Sequence, residues 1–462
     1  MVAGPDQTVG PGIARAGQHR SPDSPLPLDG WDPLTDRLGT PAQEPVDTFL
    51  RQAHLIGAHQ VAGLLRRHAA KIGVTDVVAY LADLQQTVLV PLAEPGGPGP
   101  DRLLAPLGVD STVAGRCFQY LEVIAQDAAT DGTRVWLPLV NGSERLGVLG
   151  VTVEDPKDLV GGSDLETRLY RFAALAAQVI MTKTLYGDTL VKVRRRQQLG
   201  LAAELQWSLL PPLTFGCADV TVAGALEPAY DVAGDSLDYA VDAGCARFAI
   251  FDGMGHGLHS AQLTSLVIAA YRNARRTEMS LTETVQAAES AVASTYPNSF
   301  VTAVMADLDT DTGVLTWVNV GHPEPVLLRG RQPVKTLHGR PTLPFGVSRA
   351  LGRPTAQVHV QSEQLEPGDR VLLYTDGVTD MRSPDDNFFG VQRLLDLLSA
   401  NLADGLPVPE TMRRLVRSLL EHQQGPLGDD ATMLLVEWRS GNQASLLPGT
   451  RTSTGRAGFG SA

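Results

Sequence analysis

The sequence predicts an α+β protein of two folded units joined by a helical linker and framed by unstructured tails. Three observations predict it. The 462 residues exceed one ordinary domain. Two separate blocks of short apolar runs are each bounded by stretches of helical period. Both ends are rich in Pro, Gly and Ser and lack any apolar period.

Composition narrows the function classes. Hydrophobic residues at 43% and charged residues at 19% are a globular balance. A formal net charge of −13 argues against a nucleic-acid binder, whose phosphate-facing surface must be basic. No apolar run is long enough to span a bilayer, and no basic start followed by an apolar core marks a signal peptide. Cys117, Cys217 and Cys245 are odd in number and far apart, which suits a reducing compartment, so the expected address is the cytoplasm. None has an arginine six residues on, which excludes the loop of cysteine-dependent phosphatases.

Residues 1–45 read as a disordered tail. The first unit, 46–183, opens with a helix whose apolar face holds Phe49, Leu50, Ala53, Ile56, Val61, Leu64 and Leu65. Strand-like runs follow at 77–83, 87–93, 134–140 and 145–154, the last two joined by a hairpin at Asn141-Gly142. Ser163 and Glu166 stand at capping-box spacing before a closing helix with Leu165, Leu169, Phe172, Ala176 and Val179 on one face. Residues 184–212 continue as helix until Pro211-Pro212. Leu199, Ala202, Leu205 and Leu209 fall near one face of it, and Arg194–Arg196 read as its solvated side. It is either a surface-packed connector or a dimerising signalling helix. The second unit, 213–438, alternates strand runs with helices after Gly257, after the capping box Ser280/Glu283, and around 390–422. Two sheets covered by helices is the expected architecture. Residues 439–462 read as a second disordered tail.

The chemistry lies where acidic residues meet strand ends. Asp252 closes the apolar run FAIFD, Asp376 closes VLLYTD, Asp235 stands beside Gly234, and Asp429-Asp430 precede ATMLLV. An Asp-Gly at a strand end is ordinarily just a turn. Four in one unit can converge at one edge of a sheet, where bare carboxylates would repel each other unless cations compensate. Neighbouring glycines permit positive φ and let a backbone carbonyl face the metal. All-oxygen ligation points to Mg²⁺ or Mn²⁺ rather than zinc.

Two family resemblances bear on these residues. The piece VWLPLVNGSERLGVLGVTV with its long exit helix resembles the GAF family of small-molecule-sensing domains over 46–183. The ordered blocks LQWSLLPP, VAGDSLDY, FDGMGHG, FVTAVMADLDTDTG, VNVGHPEP, LPFGV, LEPGDRVLLYTDGVTD and GDDATMLLV resemble the SpoIIE-like branch of the metal-dependent protein phosphatases (PPM) over about 205–438. That resemblance implies an α-β-β-α sandwich with two Mn²⁺ or Mg²⁺ ions at one end. It implies that Asp235, Asp252, Asp376 and Asp429 ligate the ions, with Gly253 contributing its carbonyl. A water held between the two cations, its pKa lowered, would attack phosphorus in line with no covalent phosphoenzyme. The implied substrate is a phosphoserine or phosphothreonine of a regulatory protein, typically an anti-sigma-factor antagonist, with the GAF-like unit gating activity through LQWSLLPP. A GAF-like unit either binds a small molecule or only dimerises, and the chain offers no motif naming a ligand.

This chain departs from the family pattern. The family's first block reads GGD, two aromatics and Asp, whereas here Ala233 replaces the first glycine and Ser236-Leu237 the aromatics. Asp235 and Asp238 survive. Eukaryotic-type relatives place a candidate acid histidine directly after Asp-Gly, where this chain has Met254 and reaches His256 two residues later. Their phosphate-binding arginine has no match. His322 of VNVGHPEP reads as a turn or core histidine. The altered block supports a competing reading, a catalytically weak or inactive scaffold that senses a ligand and binds a partner.

Overall fold

The computed structural model describes residues 44–93, 104–127, 132–154, 164–227, 234–353, 357–424 and 429–448. The tail 1–43, Ser163 and Ala233 therefore lie outside the described residues. Among the described residues no helix is long and apolar enough to cross a membrane.

The first unit begins with α1 (Glu44–Leu55) and α2 (Val61–Ala69), split at Gly57 by a short 3₁₀ turn. The strands β1 (Thr75–Ala82), β2 (Val88–Pro91) and β3 (Leu107–Gly108) follow, then α3 (Val113–Tyr120), β4 (Ile124–Asp127), β5 (Thr133–Asn141), β6 (Glu144–Val153) and α4 (Asp164–Thr184). They make one antiparallel sheet of order β3-β2-β1-β6-β5-β4. The β5–β6 hairpin turns at Asn141-Gly142 with Gly142 at φ 60°, as an Asn-Gly pair favours. Both faces are covered. Val77, Ala79, Leu81, Leu137 and Leu149 pack under α1, α2 and α4, while Tyr80, Ala82, Trp136 and Val148 pack under α3. Strands buried on both sides read as continuous apolar runs rather than alternating ones.

The linker corrects the expectation of an unbroken helix. After α4 come α5 (Thr189–Val193) and α6 (Leu201–Leu209), separated by non-helical residues around Gly187 and from Arg194 to Gly200. Tertiary contacts compete with helix here. Arg194 is not on a solvated face: its Nε donates to the Ala82 carbonyl at 3.0 Å and its own carbonyl accepts from Leu84 N at 3.1 Å. Ala202 of α6 packs with Leu205 on Ala261.

The second unit starts with β7 (Thr214–Gly216), β8 (Val220–Glu227), β9 (Asp235–Asp242) and β10 (Cys245–Gly253), then α7 (Leu258–Arg276) and α8 (Leu281–Thr295). Next come β11 (Val301–Asp309), β12 (Val314–Val320), β13 (Val326–Arg329), β14 (Gln332–Thr336), α9 (Val347–Ala350), β15 (Gln361–Gln364) and β16 (Arg370–Tyr374). It closes with α10 (Asp376–Thr379), α11 (Val391–Ala403), α12 (Val408–Gln423) and β17 (Ala431–Trp438). The strands form two antiparallel sheets, β15-β12-β11-β10-β9 and β14-β13-β16-β17-β8-β7. The alternation of β10 shows how they stack. Phe248 and Ile250 enter the core between the sheets with Val222 and Leu434. Ala249 and Phe251 point the other way, to Leu263 and Val267 of α7 and Val285 of α8. On the far side α11 and α12 cover Ala223, Leu372 and Leu435. The result is an α-β-β-α sandwich. The capping box forms as its spacing predicts, Ser280 Oγ accepting from Glu283 N and Glu283 Oε2 from Ser280 N.

The composition after Arg439 predicts no structure, yet Asn442–Leu446 form a 3₁₀ turn with Leu446 buried. Its side chain fills the space above Gly216, where a Cβ would stand 2.6 Å from Leu446 Cδ1. Residues 449–462 lie outside the described part.

The two units touch through charge. Arg145 of β6, buried, reaches Glu410 of α12 at 3.3 Å and Gln86 at 2.8 Å. Glu410 also takes Arg413 at 2.8 Å and Arg414 at 3.1 Å, and Arg413 turns back to Asp110 before α3.

Candidate metal centre

Each sheet delivers acidic residues to the same end of the sandwich. Asp235 opens β9 and Asp252 nearly closes β10, and the two are direct partners in register. Opposite residues of an antiparallel pair project to one face. That face is the one between the sheets, because Leu237 and Ile250, two residues along each strand, lie in the inter-sheet core. From the second sheet, Asp376 follows β16 as the first residue of α10, and Asp429-Asp430 precede β17, the strand beside β16.

The electrostatics of the cluster follow from this crowding. Burial raises the pKa of Asp235 well above the ordinary carboxylate range, and the charges of Asp252 and Asp430 push the same way. Asp252 is pushed up to about 7 by burial and then by Asp376 and Asp429. Burial and Asp429 raise Asp376, and burial lifts Asp430 to about 6. Carboxylates in such numbers repel unless positive charge joins them. Asp430 Oδ1 is moreover buried without a hydrogen-bond partner. Hard divalent cations with oxygen ligands fit this donor set. Among the described residues no three His, Cys, Asp or Glu side chains form a group placed to hold a metal ion.

Hydroxyl groups and backbone contacts hold the acids. Thr375 Oγ1 donates to Asp235 Oδ2 at 2.6 Å and accepts from Thr432 N at 3.0 Å. Asp430 Oδ2 accepts from the backbone N–H groups of Gly234 and of Asp235, the latter at 3.0 Å. Gln206 of α6 donates to the Asp235 carbonyl at 2.6 Å, tying the linker to the first acid. Sequence reasoning missed Thr375 and Thr432, although both sit inside quoted blocks, YTDG and GDDAT. Gln206 lies in LQWSLLPP, and nothing local in the sequence points it at Asp235.

The glycines beside the acids serve close approach rather than positive φ, which corrects the sequence expectation. Gly234, Gly253 and Gly377 are absent from the residues with positive φ, whereas Gly255 and Gly257 have φ of 83° and 77°. A Cβ on Gly253 would stand 2.4 Å from Thr264 Oγ1, and one on Gly377 would stand 1.9 Å from the Asp430 carbonyl. The Gly253 carbonyl accepts from Ser260 Oγ at 2.7 Å.

The remaining candidates separate from the cluster. Asp238, an odd number of residues from Asp235, faces α7 and is committed to Arg272 at 2.9 Å and Arg275 at 3.0 Å. His256 is exposed on the glycine-rich turn. A cavity of about 330 Å³ opens beside Asp376 and Asp429, lined also by Asp380, Arg382 and Gln423. Arg382 pairs with Asp386 at 2.5 Å and stacks on Phe388 at 4.1 Å.

Comparison with known proteins bears on this unit. Residues 242–439 match the family described as Stage II sporulation protein E (SpoIIE). Protein IcfG of Synechocystis is 34% identical over 139 residues, 30% of this chain and 20% of that protein. Phosphoserine phosphatase RsbU of Bacillus subtilis is 23% identical over 244 residues, 52% of this chain and 70% of that one. The SiaA-PP2C domain of Pseudomonas aeruginosa superposes with a TM-score of 0.43 at 22% identity, covering 51% of this chain and 94% of the domain. The chain thus spans only a fifth of the length of IcfG.

Proposed function

We propose that this chain, whose residues 242–439 match the SpoIIE family, is a metal-dependent phosphatase acting on phosphoserine or phosphothreonine of a regulatory protein. The observation that carries the reading is the approach of Asp235 and Asp252 from one sheet to Asp376, Asp429 and Asp430 from the other. Beyond burial, Asp252 is raised by the charges of Asp376, Asp429 and Asp430, and Asp235 by those of Asp252 and Asp430. Asp235, Asp252, Asp376 and Asp429 would hold two Mn²⁺ or Mg²⁺ ions. The Gly253 carbonyl would serve as a ligand through the lone pair that Ser260 leaves free. Such ions supply a nucleophilic water at neutral pH and positive charge for the phosphoryl oxygens.

The chain's own groups do the rest. Thr375 fixes the rotamer of Asp235, and Asp430 holds the backbone entering β9 by two N–H bonds. Asp430 is on this reading a positioning group and Asp238 a structural one. The cavity beside Asp376 is lined by Asp376, Asp380 and Asp429 as well as Arg382, so on this reading it would receive the phosphoserine loop of a protein with the bound cations supplying the positive charge that the lining lacks. The name of one relative, phosphoserine phosphatase RsbU, supports phosphoserine as the substrate group; on this reading the substrate protein is an anti-sigma-factor antagonist and the place of action the cytoplasm. Residues 46–183 would act as a GAF-like sensory unit, alone or as a homodimer, working through α6 and Gln206.

The test is hydrolysis of p-nitrophenyl phosphate and of a phosphoserine protein with Mn²⁺. Asp252→Ala and Asp376→Ala should each abolish turnover, and unchanged turnover in either sinks the assignment. The scaffold reading predicts instead no Asp-dependent Mn²⁺ uptake by calorimetry. Retention of all four carboxylates favours the enzyme.

A further inference from the structure

The support behind Asp252 runs one residue deeper than the carboxylate cluster. Thr302 of β11 is the register partner of Asp252. Its Oγ1 lies 3.4 Å from Asp252 Oδ2 and 2.8 Å from Nδ1 of His322. Both contacts are within hydrogen-bonding reach, and the one to the ring is the shorter and stronger of the two. The ring, therefore, and not the carboxylate, decides where the hydroxyl stands.

His322 is itself built in. It is 6% exposed, directly after β12, in a turn where Gly321 takes φ 69°. Asn319 clamps that turn from both sides, its Oδ1 accepting from His322 N at 2.8 Å and its Nδ2 donating to the His322 carbonyl at 2.7 Å. Burial pushes the pKa of the ring down to about 3, so it is neutral and carries one N–H. The main chain of Tyr374 faces the ring, but Nε2 has no partner at hydrogen-bonding geometry. A proton on Nε2 would point at the Tyr374 main chain without reaching good hydrogen-bonding geometry, whereas one on Nδ1 has the Thr302 oxygen at 2.8 Å. A proton on Nδ1 donates to Thr302 Oγ1 and leaves the hydroxyl proton for Asp252, whose negative charge attracts it.

We propose that His322 is a positioning residue for the metal carboxylate Asp252: its Nδ1–H anchors the Thr302 hydroxyl, which orients Asp252 Oδ2. This rests on the metal-dependent reading of the cluster. Ligating carboxylates are themselves hydrogen-bonded, and losing such a partner costs about 10–100-fold in metal affinity.

The experiment is Mn²⁺ titration of the full chain by calorimetry, with thermal unfolding of each metal-free variant alongside. Thr302→Val and His322→Phe should each weaken the Asp252-dependent uptake by about 10–100-fold. Thr302→Ser and His322→Asn, which keep the hydroxyl and an N–H near the Nδ1 position, should restore most of it. The double variant Thr302→Val/His322→Phe should bind no more weakly than the worse single one, because the two act in series. A second readout needs no variant to fold: nitrogen-15 correlation of the labelled histidine rings should show His322 as the Nδ1–H tautomer, and an Nε2–H tautomer overturns the proposal. Equal Mn²⁺ affinity in wild type, Thr302→Val and His322→Phe, or additive losses in the double variant, overturns it as well. Absence of Mn²⁺ uptake by the wild type, or uptake indifferent to Asp252→Ala, removes the metal-dependent reading itself.

Discussion

Thr375 and Asp235, 140 residues apart in the chain, are joined by a 2.6 Å hydrogen bond that fastens one sheet of the sandwich to the other. Thr375 stands between the last residue of β16 and the first acid of α10, while Asp235 opens β9 in the opposite sheet. The same hydroxyl oxygen accepts from Thr432 N, so one threonine meets both sheets at the acidic end of the sandwich. Thr375→Val leaves a buried carboxylate oxygen and a buried N–H unpaired. The metal-free protein should lose about 1–3 kcal/mol in denaturant unfolding, and Thr375→Ser should lose far less.

Gly377 permits the approach of the segment after β16 to the Asp430 carbonyl. A methyl group there would stand 1.9 Å from that oxygen, and backbone cannot yield as a flexible side chain does. Gly377→Ala should cost at least about 1–3 kcal/mol by overpacking. It should also displace Asp376 from Asp429, so Mn²⁺ affinity falls together with stability.

The contact between the two units depends on Glu410. Its side chain is fully buried and faces Arg145, whose side chain is 2% exposed. Glu410→Ala would strand the Arg145 guanidinium in the interface, a loss of about 3–5 kcal/mol for a broken buried pair. Hydrogen exchange should then rise along the N-terminal end of α12 and the start of β6. Protection unchanged at both places would show that the pair does not hold the units together.

Asp110 gives that interface a pH dependence of definite sign. Burial alone raises its pKa, but the hydrogen bonds and charges of Arg413 and Arg417 outweigh burial and hold it below 3.8. A carboxyl with a lowered folded pKa adds stability that is complete above its unfolded value and vanishes as pH falls through the folded one. The stability difference between wild type and Asp110→Asn should therefore be constant from pH 7 to about 5 and shrink below pH 4.

Arg382 lines the cavity beside Asp376 and is held by Asp386 and Phe388. If that cavity receives the substrate protein, Arg382→Ala should raise KM for a phosphoserine protein about tenfold, the worth of one exposed charge-assisted contact. The small substrate p-nitrophenyl phosphate should be turned over at nearly the wild-type kcat. Equal changes for both substrates would place Arg382 in the chemistry instead.

Much of the second unit was legible from local pattern. The runs FAIFD and VLLYTD are strands because apolar residues occupy both faces of a sheet covered on two sides, and their acids stand where those runs end. The capping box at Ser280/Glu283 forms because its bonds are made within four residues. Local pattern failed where partners are distant. The linker reads as one helix from period alone, but Arg194 finds the Ala82 carbonyl 112 residues back and the helix breaks. The tail after Arg439 reads as unstructured, but Leu446 finds the open space over Gly216.

The sequence by itself determined which residues carry the charge and that they end strands. Only the tertiary structure decided which of them meet. Asp238 lies in the same block three residues after Asp235, yet strand alternation turns it away to Arg272 and Arg275, while β9–β10 register sets Asp235 against Asp252. The glycines tell the same story: their role is close approach, of Gly253 to the Thr264 and Ser260 hydroxyls of α7 and of Gly377 to the Asp430 backbone, which no torsional preference written in the sequence reveals. Strand ends are set by local chemistry, whereas the pairing of ends is set by how two sheets stack, and that depends on contacts made across the whole unit.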